Sequence, residues 1–203
     1  MIENLPQGKR SWDVLLIGGA SGTGKTSVSY RLAQHFGIGI TEVDDLTVLL
    51  KRLTTPEQQP ILHYWDTHSE AMEWTAEQIV ELTISVVQLM APGIEAVIAN
   101  HLESRTALVL EGDYLLPSLV AQREFSGIAN KGAVRGVYLY EDEAQIVANY
   151  LQREPEAGEQ TMRAQVSWLF GNWLKEQAER AGVIALPARP WDSLFGRILK
   201  TLE

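Results

Sequence analysis

Val14-Leu15-Leu16-Ile17-Gly18-Gly19-Ala20-Ser21-Gly22-Thr23-Gly24-Lys25-Thr26 is the stretch that decides how this chain reads. Its four leading apolar residues predict a strand buried on both faces, as in the middle of a parallel sheet. Gly19 to Thr26 fits G-x-x-x-x-G-K-[ST], and Ser27 to Phe36 continues as a helix. Strand, glycine-rich turn and helix in that order make a phosphate-binding loop. The glycines let the backbone bend into a nest, and the nest and the helix N-terminus aim several N–H groups at one point. Gly19, Ala20, Ser21, Gly22, Thr23, Gly24, Lys25 and Thr26 are therefore the expected nucleotide-binding residues. Lys25 would reach the β- and γ-phosphates, and the Thr26 hydroxyl would ligate Mg²⁺.

Outward from that loop, strands and helices alternate. Strands are expected at 14–18, 38–43, 107–110, 134–140 and 183–186. Helices are expected at 25–36, 46–53, 118–125, 143–153, 161–180 and 192–202. Residues 76–101 carry long apolar periodicity interrupted by Pro92-Gly93, which predicts a kinked helix or two helices with Pro92 opening the second. The class is α/β with a mostly parallel sheet, and no linker or repeat divides the 203 residues, so one domain is expected over 1–203.

A hydrophobic fraction of 45% with 21% charged residues is the balance of a globular, water-soluble protein. No apolar run approaches the roughly 20 residues of a bilayer span, and Met1-Ile2-Glu3-Asn4 does not begin a signal peptide, so no membrane partner is expected. The absence of cysteine excludes disulfides and thiolate chemistry and suits the cytoplasm. A net charge of -9 disfavours nucleic acid as a partner. Nucleotide and a small-molecule acceptor remain the expected partners.

Ligands of an open α/β sheet sit beyond the C-terminal ends of its strands, so the acids there are the candidates. Asp44 and Asp45 follow the second strand, and Glu111 and Asp113 follow the third. Such carboxylates can hold Mg²⁺ or take the proton of an attacking hydroxyl. Asp44 is assigned as the base. Glu111 is assigned to the Mg²⁺ shell or to the acceptor, and Asp45 and Asp113 to the acceptor side. Asp45 serves equally well as a helix cap.

Phosphoryl transfer also needs cations and a dry site. Arg153 and Arg163 flank a polar Pro/Gly-containing loop that reads as a lid over about 150–165. Arg189, after the last strand, is placed to stack on a purine. The segment from about 46 to 105 is left to cover the acceptor. Its His63-Tyr64-Trp65, with Trp74, reads as core packing or as a wall of the acceptor pocket, with His63 the substrate-binding candidate. Asn130-Lys131-Gly132-Ala133 begins like the guanine-reading N-K-x-D but lacks the aspartate, which favours adenine or a loosely selective base site.

GGASGTGKT at 18–26, VDDL at 43–46, VLEGDYLLP at 109–117, the lid arginines and ARPW at 188–191 together resemble the P-loop small-molecule kinases of the nucleoside-monophosphate-kinase type. Within that group the chain most resembles 2-phosphoglycerate kinase. VDDL is also similar to the matching stretch of chloramphenicol phosphotransferase, whose first aspartate is the base, which favours Asp44 over Asp45. The resemblance implies a three-layer α/β/α fold around a five-stranded parallel sheet, a helical lid, and ATP with Mg²⁺. It implies transfer of the γ-phosphate to a hydroxyl of a small molecule, either a 2-phosphoglycerate-like acid or a neutral alcohol. Residues 54–100 contain no Lys or Arg, which speaks for the alcohol. The alternative is a nucleotide-binding regulatory module or weak ATPase with no such acceptor.

Overall fold

The computed structural model describes residues 9–203; the N-terminal tetrapeptide inspected for a targeting signal lies outside them. Strand β1 (Val14–Gly19) leads through the glycine-rich turn into helix α1 (Lys25–Phe36). β2 (Gly39–Glu42) runs directly into α2 (Val43–Leu53). A turn-rich stretch with the short α3 (Tyr64–Thr67) then reaches α4 (Ala76–Ser104). β3 (Leu108–Gly112), α5 (Pro117–Ala121) and a small hairpin of β4 (Glu124–Phe125) and β5 (Ile128–Ala129) follow. The chain closes with β6 (Val134–Tyr140), α6 (Glu143–Arg153), α7 (Thr161–Arg180), β7 (Ile184–Pro187) and α8 (Trp191–Leu202).

Five strands form one sheet in the order β2-β3-β1-β6-β7, all parallel. The period-2 alternation of β1 sorts its side chains between two cores. Val14 and Leu16 face a cluster with Ile94 and Ile98 of α4 and Phe170 and Leu174 of α7. Leu15 and Ile17 face a second cluster with Leu32 and Phe36 of α1 and Leu194 and Ile198 of α8. Helices thus cover both faces, giving three layers. Each of these fully buried aliphatic side chains contributes about 1.5–3 kcal/mol, so β1 is held from both sides and carries its C-terminal turn on a rigid base.

Several expectations need correction. For 76–101 the structure chooses the first of the two readings, one helix with Pro92 inside it, and carries it on to Ser104. Pro92, Gly93 and Gln88 are exposed, so the carbonyl that loses its partner to proline can be hydrated. α4 is also more apolar than expected. An 18-residue stretch of it has a mean hydropathy of 1.7, so by length and composition it could cross a bilayer, yet Val87, Met90, Ile94 and Ile98 lie in the sheet core. α2 begins at Val43, so Asp44 and Asp45 occupy its first turn, where the helix dipole favours negative charge. The helix expected at 118–125 stops at Ala121. Ser126 and Gly127, both at positive φ, turn the chain into the hairpin, which buries Phe125.

Candidate active site

The phosphate-binding loop sits at the C-terminal edge of β1. Gly22 (φ 84°) and Gly24 (φ 76°) hold left-handed backbone that a side chain would strain. A Cβ on Gly22 would press on Ile146 and Tyr150 of α6, and one on Gly24 would run into the ring of Trp191. Thr23 closes the turn by donating its hydroxyl to the Ala20 carbonyl at 2.8 Å. Gly24 precedes α1, whose first turn carries no acidic residue, so the positive end of its dipole is unopposed.

Parallel pairing of β1 with β3 sets Ile17 beside Glu111 and Gly18 beside Gly112. That register brings Glu111 to Thr26, whose hydroxyl lies 3.1 and 3.2 Å from the two carboxylate oxygens and donates to them. Glu111 is buried, and loss of water pushes its carboxyl up to about 7 against the lowering pull of Lys25 and Thr26. Lys25 is buried too and forms an ion pair with Asp113. Burial alone would lower its ammonium, but Asp113 and Glu111 outweigh burial and hold it above its ordinary value. Asp44 opens onto the same cleft from α2. Partial removal from water, then the nearby Asp113, raises its carboxyl.

The cleft measures about 860 Å³. Residues 21–27 form its floor, Glu42, Asp44, Glu111 and Asp113 one wall, and Glu141, Asn149, Tyr150, Arg153, Arg189 and Trp191 the other. Asn149 donates to the Gly22 carbonyl at 2.8 Å and accepts from Arg189 Nη2 at 3.0 Å. Arg189 Nε also lies 3.4 Å from Glu141 Oε2. The loop, α6 and the segment after β7 are therefore tied together where a nucleotide base would emerge.

The structure thus brings Lys25, Thr26, Asp44, Glu111, Asp113, Arg153 and Arg189 into one cleft. Gly19 and Ala20, at the start of the loop, lie below the cleft lining, and three further candidates stand outside it. Asp45 is exposed on the first turn of α2 and does not line the cleft. Arg163 donates to Glu154 at 2.9 Å and to Gln160 at 2.7 Å, with its guanidinium 4.4 Å from the Tyr150 ring centre. Arg153 is held by the same Glu154, at 2.9 Å, but reaches the cleft wall. His63 is buried, with Nε2 3.1 Å from Thr54 Oγ1 and Nδ1 3.5 Å from Asp66. His63 thus has protein partners and does not line the cleft. Asn130 proves to be a loop fastener. It donates to the Val120 and Gln122 carbonyls and accepts from Val134 N–H, at the N-terminal edge of β6, opposite the loop.

Glu42, Glu141, Asn149, Tyr150 and Trp191 were not anticipated. Glu42 ends β2 and Glu141 directly follows β6, so the strand-end rule that selected Glu111 reaches both. Asn149 and Tyr150 carry no local signal, since nothing in a helical run tells which face meets the loop.

The donor set suits Mg²⁺ and a polyphosphate. A hydroxyl and a buried carboxylate meet beside a dipole-positive nest, with a lysine in reach. Among the described residues no group of three or more His, Cys, Asp or Glu side chains forms a metal site by itself. That fits a cation whose remaining ligands are phosphate oxygens and water.

No protein-family model matches the chain. It is 27% identical over 122 residues to the 2-phosphoglycerate kinase of Methanococcus vannielii, covering 56% of this chain and 39% of that protein. It is 27% identical over 115 residues to the 2-phosphoglycerate kinase of Pyrococcus furiosus, covering 53% and 37%. The matches therefore span less than two fifths of those relatives, as the shares of 39% and 37% show. Among solved structures, shikimate kinase from Acinetobacter baumannii superposes with a TM-score of 0.52 at 17% identity, over 95% of this chain and 93% of that one. The chain has a P-loop kinase fold. Its five parallel strands, its glycine-rich turn after β1 and its helices on both faces are the elements that carry that likeness.

Proposed function

We propose that the chain is a phosphotransferase that moves the γ-phosphoryl group of ATP to a hydroxyl of a small molecule. The observation that carries this is the meeting of the loop with strand-end carboxylates: Thr26 bonded to Glu111, Lys25 buried beside them, and Asp44 open across the same cleft. The similarity to proteins named 2-phosphoglycerate kinase supports it.

Loop N–H groups and Lys25 grip the phosphates, Lys25 leaving Asp113 to do so. Thr26 and Glu111 would hold Mg²⁺, which neutralises charge on the phosphate oxygens. Asp44 orients the acceptor hydroxyl and accepts its proton as the new oxygen–phosphorus bond forms. The bond to the β–γ bridging oxygen breaks and ADP leaves. A carboxylate raised above its ordinary pKa is a better base near neutrality. Arg153 and Arg163, stacked on Tyr150 and joined at Glu154, form the lid that would exclude water, the competing acceptor. Arg189 and Trp191 border the base.

ADP release with ATP, Mg²⁺ and a panel of small alcohols tests this. Acceptor-stimulated turnover that Lys25→Ala abolishes is the expected result. Tight ATP binding with no stimulation by any alcohol would instead favour a regulatory nucleotide-binding module.

A further inference from the structure

We infer that the acceptor carries neither carboxylate nor phosphate, and that a protonated amine beside its reacting hydroxyl is favoured. The inference rests on the phosphotransferase reading and narrows its substrate class.

Glu42, Asp44, Glu111 and Asp113 line the acceptor wall. Among the described residues lining that end of the cleft, Lys25 is the one cation. It is paired with Asp113 and points to where the phosphates bind. In the loaded site Mg²⁺ would neutralise Glu111 and part of the phosphate charge, while Lys25 turns to the nucleotide and leaves Glu42, Asp44 and Asp113 as the carboxylates facing the acceptor. Arg153 and Arg189 lie on the opposite wall and already face Glu154 and Glu141.

The segment left to cover the acceptor offers no relief. Residues 54–100 contain no Lys or Arg. Lys51, at the end of α2, holds Asp66 with contacts of 3.0 and 2.8 Å, and Arg52 and Arg105, the other cations of the segment, are exposed and do not line the cleft. Glu42 is held in place by the Tyr30 hydroxyl at 2.8 Å. Recognition of a carboxylate or phosphate calls for arginine forks or lysines aimed at it. This wall presents the opposite: carboxylates that accept from hydroxyls and make charge-assisted hydrogen bonds to an ammonium. The pattern departs from the acceptor named for the 2-phosphoglycerate kinases, whose matched stretch covers 39% of the Methanococcus vannielii protein.

Two charge-graded series test this, read as ADP release by the full chain with Mg²⁺ and ATP. One is 2-phosphoglycerate, glycerate, glycerol and 2-amino-1,3-propanediol. The other is gluconate, glucose and glucosamine. The expected result is at least tenfold higher kcat/KM for the neutral or amino members than for the anionic member of the same series. Glu42→Gln should lower the ratio of amino to neutral acceptor severalfold. Best turnover with 2-phosphoglycerate, glycerate or gluconate overturns this inference and leaves the phosphotransferase reading standing. No stimulation by any member of either series overturns both.

Discussion

Replacing Glu111 by Gln should make the ligand-free protein more stable at alkaline pH than the parent, although the residue belongs to the proposed active site. Burial pushes its carboxyl up to about 7 in the fold, against an ordinary value of 4.5. Between those values the folded state holds a proton that the unfolded chain has released. Stability from this group is therefore complete below about 4.5 and lost as pH rises through about 7. Evaluated between pH 5 and 8, that shift amounts to about 2–3 kcal/mol. Glutamine keeps the size and an oxygen for Thr26, so the pH-dependent part is what changes. Urea unfolding of both proteins at pH 5 and pH 8, without nucleotide or metal, reads it directly. The parent should lose about 2–3 kcal/mol more than the variant on going to pH 8. Equal losses, or a larger loss by the variant, would refute the reasoning that burial holds the Glu111 carboxyl above its ordinary value in the fold.

Asp44→Asn should lower kcat by about 10²–10⁴-fold, the usual span for a general base, and leave ATP affinity by calorimetry within a few-fold. With the parent, kcat should fall as pH drops through a value above that of an ordinary aspartate, because Asp44 must be ionised to act and its carboxyl is raised. Gly24→Ala should destabilise by about 1–3 kcal/mol in thermal unfolding, since its Cβ meets the Trp191 ring; the added change Trp191→Ala should recover the part due to the clash. Arg153→Ala should reduce turnover more than Arg163→Ala in steady-state assays, because Arg153 lines the cleft and Arg163 does not. The reverse order would place the closing cation on α7.

What this chain determined by itself is what short-range pattern can encode. Val14 to Thr26 specified strand, nest and helix because each of those elements is dictated by neighbours a few residues away. The class followed from alternation of such elements, and α1, β6, α6 and α7 fell at the expected residues. The long-range pairings were decided only by the tertiary structure. Thr26 meets Glu111, 85 residues on, because parallel register sets Ile17 against Glu111. Asn149 links Gly22 to Arg189 because α6 and the turn after β7 converge on the loop. His63 left the candidate site because the turns after α2 fold it onto Thr54 and Asp66, and Asn130 became a fastener because it lies at the wrong end of β6. Charges that read as separate strand ends became a single acidic wall for the same reason. Sheet order decides which C-terminal edges are neighbours, and no local pattern of residues contains that order.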